Sequence, residues 1–138
     1  MLISLDIAYW KASSVQLTYQ SAYTSWIIGG SGIHIYGGGT FNGSGDTWYN
    51  AGTTGPIPWT IYNAKNVLVE DIFMVQSPFW HNLVYQSSNV TFNNINIHSI
   101  QTDGTQAQNT GRSIRLLLVV AKLMMYRWLG YLPQHVSR

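Results

Sequence analysis

The chain has no cysteine. That excludes a disulfide framework and any thiolate metal site, and it leaves cysteine usage silent about the redox compartment. Charge is also scarce: only 9% of the 138 residues are Asp, Glu, Lys or Arg. Such a chain is neither a disordered polyelectrolyte nor a coiled coil. Acids are missing altogether after Asp103, and uncharged apolar runs of membrane-spanning length are missing throughout. The longest apolar segment, Ile114 to Leu129, is interrupted by Arg115, Lys122 and Arg127, which argues against a transmembrane helix. It also lacks the clean polar face of a membrane-surface helix. The N-terminus has neither a basic start nor an apolar core, so no secretory signal is visible.

The uneven charge matters more than its total. Asp6, Asp46, Glu70, Asp71 and Asp103 all lie before residue 110, where Lys11 and Lys65 are the only bases. The last 28 residues carry Arg112, Arg115, Lys122, Arg127 and Arg138 and no acid. The basic sequence pI is therefore a property of the tail and does not indicate nucleic-acid binding by the body. Four scattered histidines, His34, His81, His98 and His135, with no acid cluster, do not make a metal site, and no cofactor is indicated.

What is present is an internal repeat. Asn66-Val67-Leu68-Val69-Glu70-Asp71-Ile72-Phe73-Met74 returns without a gap as Asn89-Val90-Thr91-Phe92-Asn93-Asn94-Ile95-Asn96-Ile97. Apolar and polar positions alternate with a period of two, and β-branched and aromatic residues dominate, so each copy is a strand. A repeat of roughly 20–25 residues with one such strand pattern per copy marks a stacked solenoid. The expectation is an all-β, right-handed parallel β-helix of about 3–4 coils. Val67, Val69, Ile72, Val90, Phe92, Ile95 and Ile97 should turn inward, with Glu70-Asp71 and Asn93-Asn94 at the bends. Asn tolerates left-handed turns, so Asn63, Asn66, Asn89, Asn93, Asn94 and Asn96 are read as turn residues that stacked coils can align into amide ladders. The segment from Asp46 to Pro58, with Trp48 and Tyr49, is read as a projecting loop. Residues 111–138 abandon the pattern. Their Leu, Met, Ala, Lys and Arg content favours a helical or poorly ordered tail from Ile114 to about Leu129.

Three motifs, in order, carry a family resemblance. Ile35-Tyr36-Gly37-Gly38-Gly39-Thr40-Phe41-Asn42-Gly43-Ser44-Gly45-Asp46-Thr47-Trp48-Tyr49 resembles a glycine-rich motif of glycoside hydrolase family 28, the polygalacturonases and their relatives. Gln76-Ser77-Pro78-Phe79-Trp80-His81 resembles its Asn-Ser-Pro-x-Trp-His, and Ala107-Gln108-Asn109-Thr110 resembles the approach to its Asn-Thr-Asp-Gly. Asp6-Ile7-Ala8-Tyr9-Trp10 with Trp26-Ile27-Ile28-Gly29-Gly30 is most similar to fungal exo-acting members. The resemblance covers about residues 5–110. It implies a secreted parallel β-helix acting on pectic polysaccharide by inverting hydrolysis. That reaction needs one carboxyl group to protonate the leaving oxygen and another to activate water.

The family implies three catalytic Asp: one in Asn-Thr-Asp and two in a later Asp-Asp. Gly-His-Gly and Arg-Ile-Lys motifs follow. Here Gly111 stands where the first Asp is expected, and the other motifs do not occur. Asn109 and Thr110 are thus the remnant of a catalytic motif, with no intact catalytic set. Asp103, in Thr102-Asp103-Gly104, mimics that motif, but it reads better as a turn Asp because Asn109-Thr110 is in register. The simplest account is a frameshift, retained intron or mispredicted gene end near residue 110, with a start inside the family's interior. Residues 1–110 then form a partial β-helix domain and 111–138 an unrelated basic tail.

Trp48, Tyr49, Trp80 and His81 are the candidate substrate-binding residues, through ring stacking and an imidazole donor. A packed aromatic corner is the plainer reading of Trp80 and His81. Asn42-Gly43-Ser44 and Asn89-Val90-Thr91 fit the N-glycosylation sequon. Three functions compete: a pectin-degrading hydrolase, inactive as written; a non-catalytic carbohydrate-binding β-helix; and a membrane or interaction protein acting through the basic tail. Pectic polysaccharide is the expected partner under the first two. Nucleic acid and membrane are not expected partners of the body.

Overall fold

A computed structural model describes Met1, residues 4–100 and the backbone of residues 114–120 and 125–128. Asp6 starts the first element: its carboxylate accepts the Tyr9 amide at 3.0 Å and caps helix α1, Ile7–Ser13. Strand β1, Val15–Gln16, turns back antiparallel onto the start of β2, Tyr23–Ile35. Then follow β3 (Thr40–Asn42), α2 (Gly45–Asn50), β4 (Ile57–Glu70), β5 (Phe73–Val75), β6 (Asn82–Tyr85) and β7 (Ser88–His98). Among the described residues these belong to one curled sheet of mixed direction, helix being confined to α1 and α2.

The centre of the sheet is parallel and keeps the register of the repeat. Val67 pairs with Val90, Leu68 with Thr91 and Val69 with Phe92. β2 lies on the other edge of β4, with Ile33 beside Val67 and Ile35 beside Val69. Its offset is larger because α2 and its flanks are inserted between the two strands. β3, β5 and the end of β7 form a second parallel ladder, Phe41 to Met74 and Met74 to Ile97. The alternation therefore does what it predicts. Val67, Val69, Val90, Phe92, Ile95 and Ile97 are all buried in the main core with Trp59, Ile61 and Met74, while Ile72 is half-buried against it. Each such side chain contributes about 1.5–3 kcal/mol by leaving water.

The bends are made by left-handed residues. Asn63, Asn66, Asp71, Asn89 and Asn94 all have φ between 50° and 56°. Asn and Asp bear that conformation at lower cost than other side chains. Stacking then aligns them. Asn89 Nδ2 donates to Asn66 Oδ1 at 2.7 Å, Asn93 Nδ2 to Glu70 Oε2 at 3.1 Å, and Asn94 Nδ2 to Asp71 Oδ1 at 2.7 Å. Asn66–Asn89 is an amide ladder of the expected kind, and in the other two pairs a carboxylate is the acceptor.

Two expectations need correction. The segment after Asp46 does not project: it forms α2, and Trp48 is 2% exposed. The tail is not helical where it is described. Ile114–Val120 forms β8, antiparallel to β7, and Met125–Trp128 forms β9, antiparallel to β6. An open strand edge offers a row of unmet donors and acceptors, and pairing with it outweighs the fraction of a kcal/mol per residue by which Leu and Met favour helix. The antiparallel direction also means that β8 and β9 add no further coil to the parallel ladder.

Candidate functional site

Two of the motifs found in the sequence fold onto one another. The glycine-rich segment around α2 lies against the turn from Gln76 to Trp80. The Gly43 amide donates to the Val75 carbonyl at 2.9 Å, and the Gly45 amide donates to the Gln76 carbonyl at 2.6 Å. The glycines are there because the approach is close. A Cβ on Gly43 would lie 2.7 Å from the Gln76 carbonyl oxygen, and one on Gly55 would lie 2.4 Å from Pro78 and 2.6 Å from the Trp48 ring. The Tyr49 hydroxyl donates to the Ser77 carbonyl and ties the end of α2 to the same turn.

Gln76 is the hub of this junction. Its Nε2 donates to Asp46 Oδ1 and to the Ile100 carbonyl, both at 2.8 Å, while its Oε1 accepts the Ile100 amide at 2.9 Å. Sequence reasoning missed it as a functional position. The only signal was its place immediately before Ser77-Pro78, where a turn residue is needed.

Beside the junction opens a cavity of about 510 Å³. Trp10, Trp48, Phe79 and Trp80 supply aromatic wall, with Lys11 and Gln20 among its polar lining. α1 delivers Trp10 and Lys11, α2 delivers Trp48, and the Ser77-Pro78 turn delivers Phe79 and Trp80. Phe79 and Trp80 stack at 4.4 Å between centroids. Among the described residues no carboxylate lines the cavity. An aromatic wall beside a cation can hold the C–H face of a sugar ring and an attached carboxylate, but it cannot exchange protons with a glycosidic oxygen.

The predicted residues are thus only partly brought together. Trp48 and Trp80 share the cavity, although both are largely buried, and Tyr49 is committed to Ser77. His81 is elsewhere: it is buried, with Nε2 2.8 Å from Ser99 Oγ, whose oxygen also accepts the Ser77 amide at 3.0 Å. Asn89 is exposed, whereas Asn42 is half-buried and its side-chain oxygen accepts the Ser44 amide at 2.9 Å. Asp103, Asn109 and Thr110 lie outside the described residues.

The remaining acids are structural. Asp6 caps α1, Asp46 meets Gln76, Asp71 meets Asn94, and Glu70 meets both Asn93 and His34, the last at 2.7 Å. Among the described residues no group of three or more His, Asp or Glu is placed to hold a metal ion, and no helix is long and apolar enough to cross a membrane.

Residues 10–114 match the family model described as glycosyl hydrolases family 28. The chain is 37% identical over 110 residues to an exopolygalacturonase of Cochliobolus carbonum, covering 76% of this chain and 25% of that protein. It is 37% identical over 118 residues to alpha-L-rhamnosidase rgxB of Aspergillus niger, covering 80% and 28%. A probable exopolygalacturonase B of Neosartorya fischeri is 34% identical over 111 residues, covering 72% and 24%. The chain spans about a quarter of the length of these curated relatives. No solved structure matches it. The match spans both motifs that build the cavity and the whole parallel ladder, and the chain belongs to glycosyl hydrolases family 28.

Proposed function

We propose that this chain carries a saccharide-gripping portion of a pectin-acting family 28 architecture and does not itself hydrolyse glycosidic bonds. The observation behind this reading is the cavity at the motif junction, with its aromatic walls, Lys11 and no carboxylate among the described residues. Galacturonan-type chains suit it, because each sugar offers an apolar ring face and an anionic carboxylate. The printed names of the relatives support a pectic substrate: exopolygalacturonase and alpha-L-rhamnosidase. The stacked strands are read as coils of a right-handed parallel β-helix, and the setting as extracellular. Of the two sequons, Asn89 is the one we assign to glycan attachment, because its side chain is exposed.

Inactivity follows from chemistry. Inverting hydrolysis needs an acid and a base flanking the bond. The four described acids are held in structural hydrogen bonds, and Gly111 occupies the position of the expected Asp. General acid–base catalysis contributes about 10²–10⁴-fold. The Gly111→Asp variant alone should remain inactive because its partner carboxylates are absent.

Two measurements test the proposal separately. Reducing-end assays on polygalacturonate and rhamnogalacturonan should show no turnover above background. Clear turnover that is lost in Asp103→Asn would return Asp103 to the catalytic role. Titration of galacturonate oligomers, followed by tryptophan fluorescence, should show saturable binding weakened severalfold by Lys11→Gln. If the oligomers leave the fluorescence unchanged and calorimetry shows no heat, the gripping role is wrong.

A further inference from the structure

The wall of the cavity includes a hairpin turn whose two central residues suit its backbone poorly. The chain passes from β1 to β2 through Leu17 and Ala22. The Leu17 amide donates to the Ala22 carbonyl at 2.7 Å, and the Ala22 amide donates to the Tyr19 carbonyl at 3.1 Å. The second bond closes a four-residue turn with Gln20 and Ser21 at its centre. Both have φ of 52°. Two successive positive φ values mark a type I′ turn, whose usual occupants are Asn-Gly, Asp-Gly or Gly-Gly.

Gln and Ser each carry a Cβ into the left-handed region, where it crowds the following carbonyl. Among the described residues they are the one consecutive non-glycine pair in that conformation. Ser44, Gln76 and Gln86 adopt it singly, and at the remaining sites it falls to Asn63, Asn66, Asp71, Asn89 and Asn94. Asn and Asp bear it more easily. The turn at Gln20-Ser21 uses neither of them, nor glycine.

The surroundings keep this turn from relaxing. Leu17 and Ala22 are buried with Ile57, Trp80 and Leu83. Thr18 Oγ1 lies 2.9 Å from the Tyr85 hydroxyl, and the Tyr19 ring packs on Trp80 and Tyr85 with centroids 6.2 and 5.8 Å away. These contacts fix the flanks of the turn. Gln20 and Ser21 themselves are exposed, so the core that holds the turn owes little to their side chains. A pair better matched to the backbone would serve the fold better. What both residues do line is the cavity, together with Lys11, Trp48 and Trp80. Strained residues held in place by surrounding packing gather at ligand sites.

We infer that Gln20 and Ser21 are contact residues of this cavity and bind the ring hydroxyls of a uronate. The inference rests on the saccharide-gripping reading above and assigns the part of the sugar that the reading left without a partner. A carboxamide offers donor and acceptor side by side and can span two adjacent hydroxyls, and a serine hydroxyl both donates and accepts. The Gln20 amide donates to the Tyr19 hydroxyl at 3.4 Å, too long to compete with a well-placed ligand. Lys11 then meets the carboxylate, the aromatic wall meets the ring face, and the turn meets the hydroxyls. Stability is given up at the turn to place the third set of contacts.

The double variant Gln20→Asn/Ser21→Gly separates strain from binding. It keeps the type I′ backbone, relieves the left-handed crowding, shortens the amide and removes the hydroxyl. It should unfold several degrees above the parent. Calorimetry should show it binding trigalacturonate about tenfold more weakly, as loss of one or two hydrogen bonds implies. Gln20→Glu keeps the side-chain length but sets a carboxylate beside the bound sugar. It should lose the parent's preference for trigalacturonate over its methyl ester.

A double variant that is more stable yet binds trigalacturonate as tightly as the parent overturns the inference and leaves the gripping reading standing. So does a double variant no more stable than the parent, because the turn then holds no strain to explain. A Gln20→Glu chain that keeps the parent's full preference for the free acid places that side chain away from the sugar and counts against the inference as well. A parent that binds no trigalacturonate overturns both readings together.

Discussion

Gln76 Nε2 lies 2.8 Å from Asp46 Oδ1, joining two motifs that are thirty residues apart in the chain. The same side chain also satisfies both backbone groups of Ile100. Replacing it leaves a part-buried amide and carbonyl without partners. Gln76→Leu should therefore lower stability by about 2 kcal/mol, read as a fall in the urea midpoint. Trp48 and Trp80 fluorescence should shift red as the junction loosens. A midpoint unchanged within error would show that solvent replaces these bonds at no cost.

The glycines in and just after the first motif divide into two kinds. Gly55 is pressed between Pro78 and Trp48, while a Cβ on Gly39 would meet nothing within 4 Å. Gly55→Ala should destabilise by about 1–3 kcal/mol, as overpacking does. Gly39→Ala should fall within about 0.5 kcal/mol of the parent. Thermal unfolding of the two variants side by side tests this, and equal melting temperatures would contradict it.

Left-handed geometry and the ladder can be separated at Asn89. Its φ is 51° and its amide donates to Asn66. Both Asn89→Ala and Asn89→Gly lose that bond, but only Ala suffers the left-handed conformation, which costs about 1–2 kcal/mol. The Ala variant should therefore unfold at lower urea than the Gly variant. Equal midpoints for the two variants, both below the parent, would place the stabilisation in the amide ladder alone.

The tail has a testable structural task. Deleting residues 111–138 removes the strands that pair with β7 and β6. Bare edges of this kind template aggregation. The truncated chain should lose solubility and form species larger than the parent by light scattering. A truncated chain that stays as soluble as the parent would show that those edges tolerate exposure.

The sequence by itself determined the period, the strand type and the faces. Alternation in two copies that share Asn-Val is a local property, and it correctly assigned Val67, Val69, Val90, Phe92, Ile95 and Ile97 to the core. The turn chemistry of Asn is local as well, so the Asn66–Asn89 ladder was legible before any coordinates, whereas the pairing of Asn94 with the Asp71 carboxylate was not. The motifs were enough to indicate the family, because residue identities at fixed spacing survive without structural context.

Only the tertiary structure decided what depends on neighbours distant in the chain. Trp48 and Tyr49 read as loop aromatics, yet close approach of Gly43 and Gly45 to the Gln76 turn draws α2 inward and buries Trp48. The residues at 114–120 and 125–128 carry helix-forming composition, yet the open edges of β7 and β6 make them strands. In both cases a weak local preference met a long-range partner. Backbone pairing and burial contribute more free energy than intrinsic propensity can oppose.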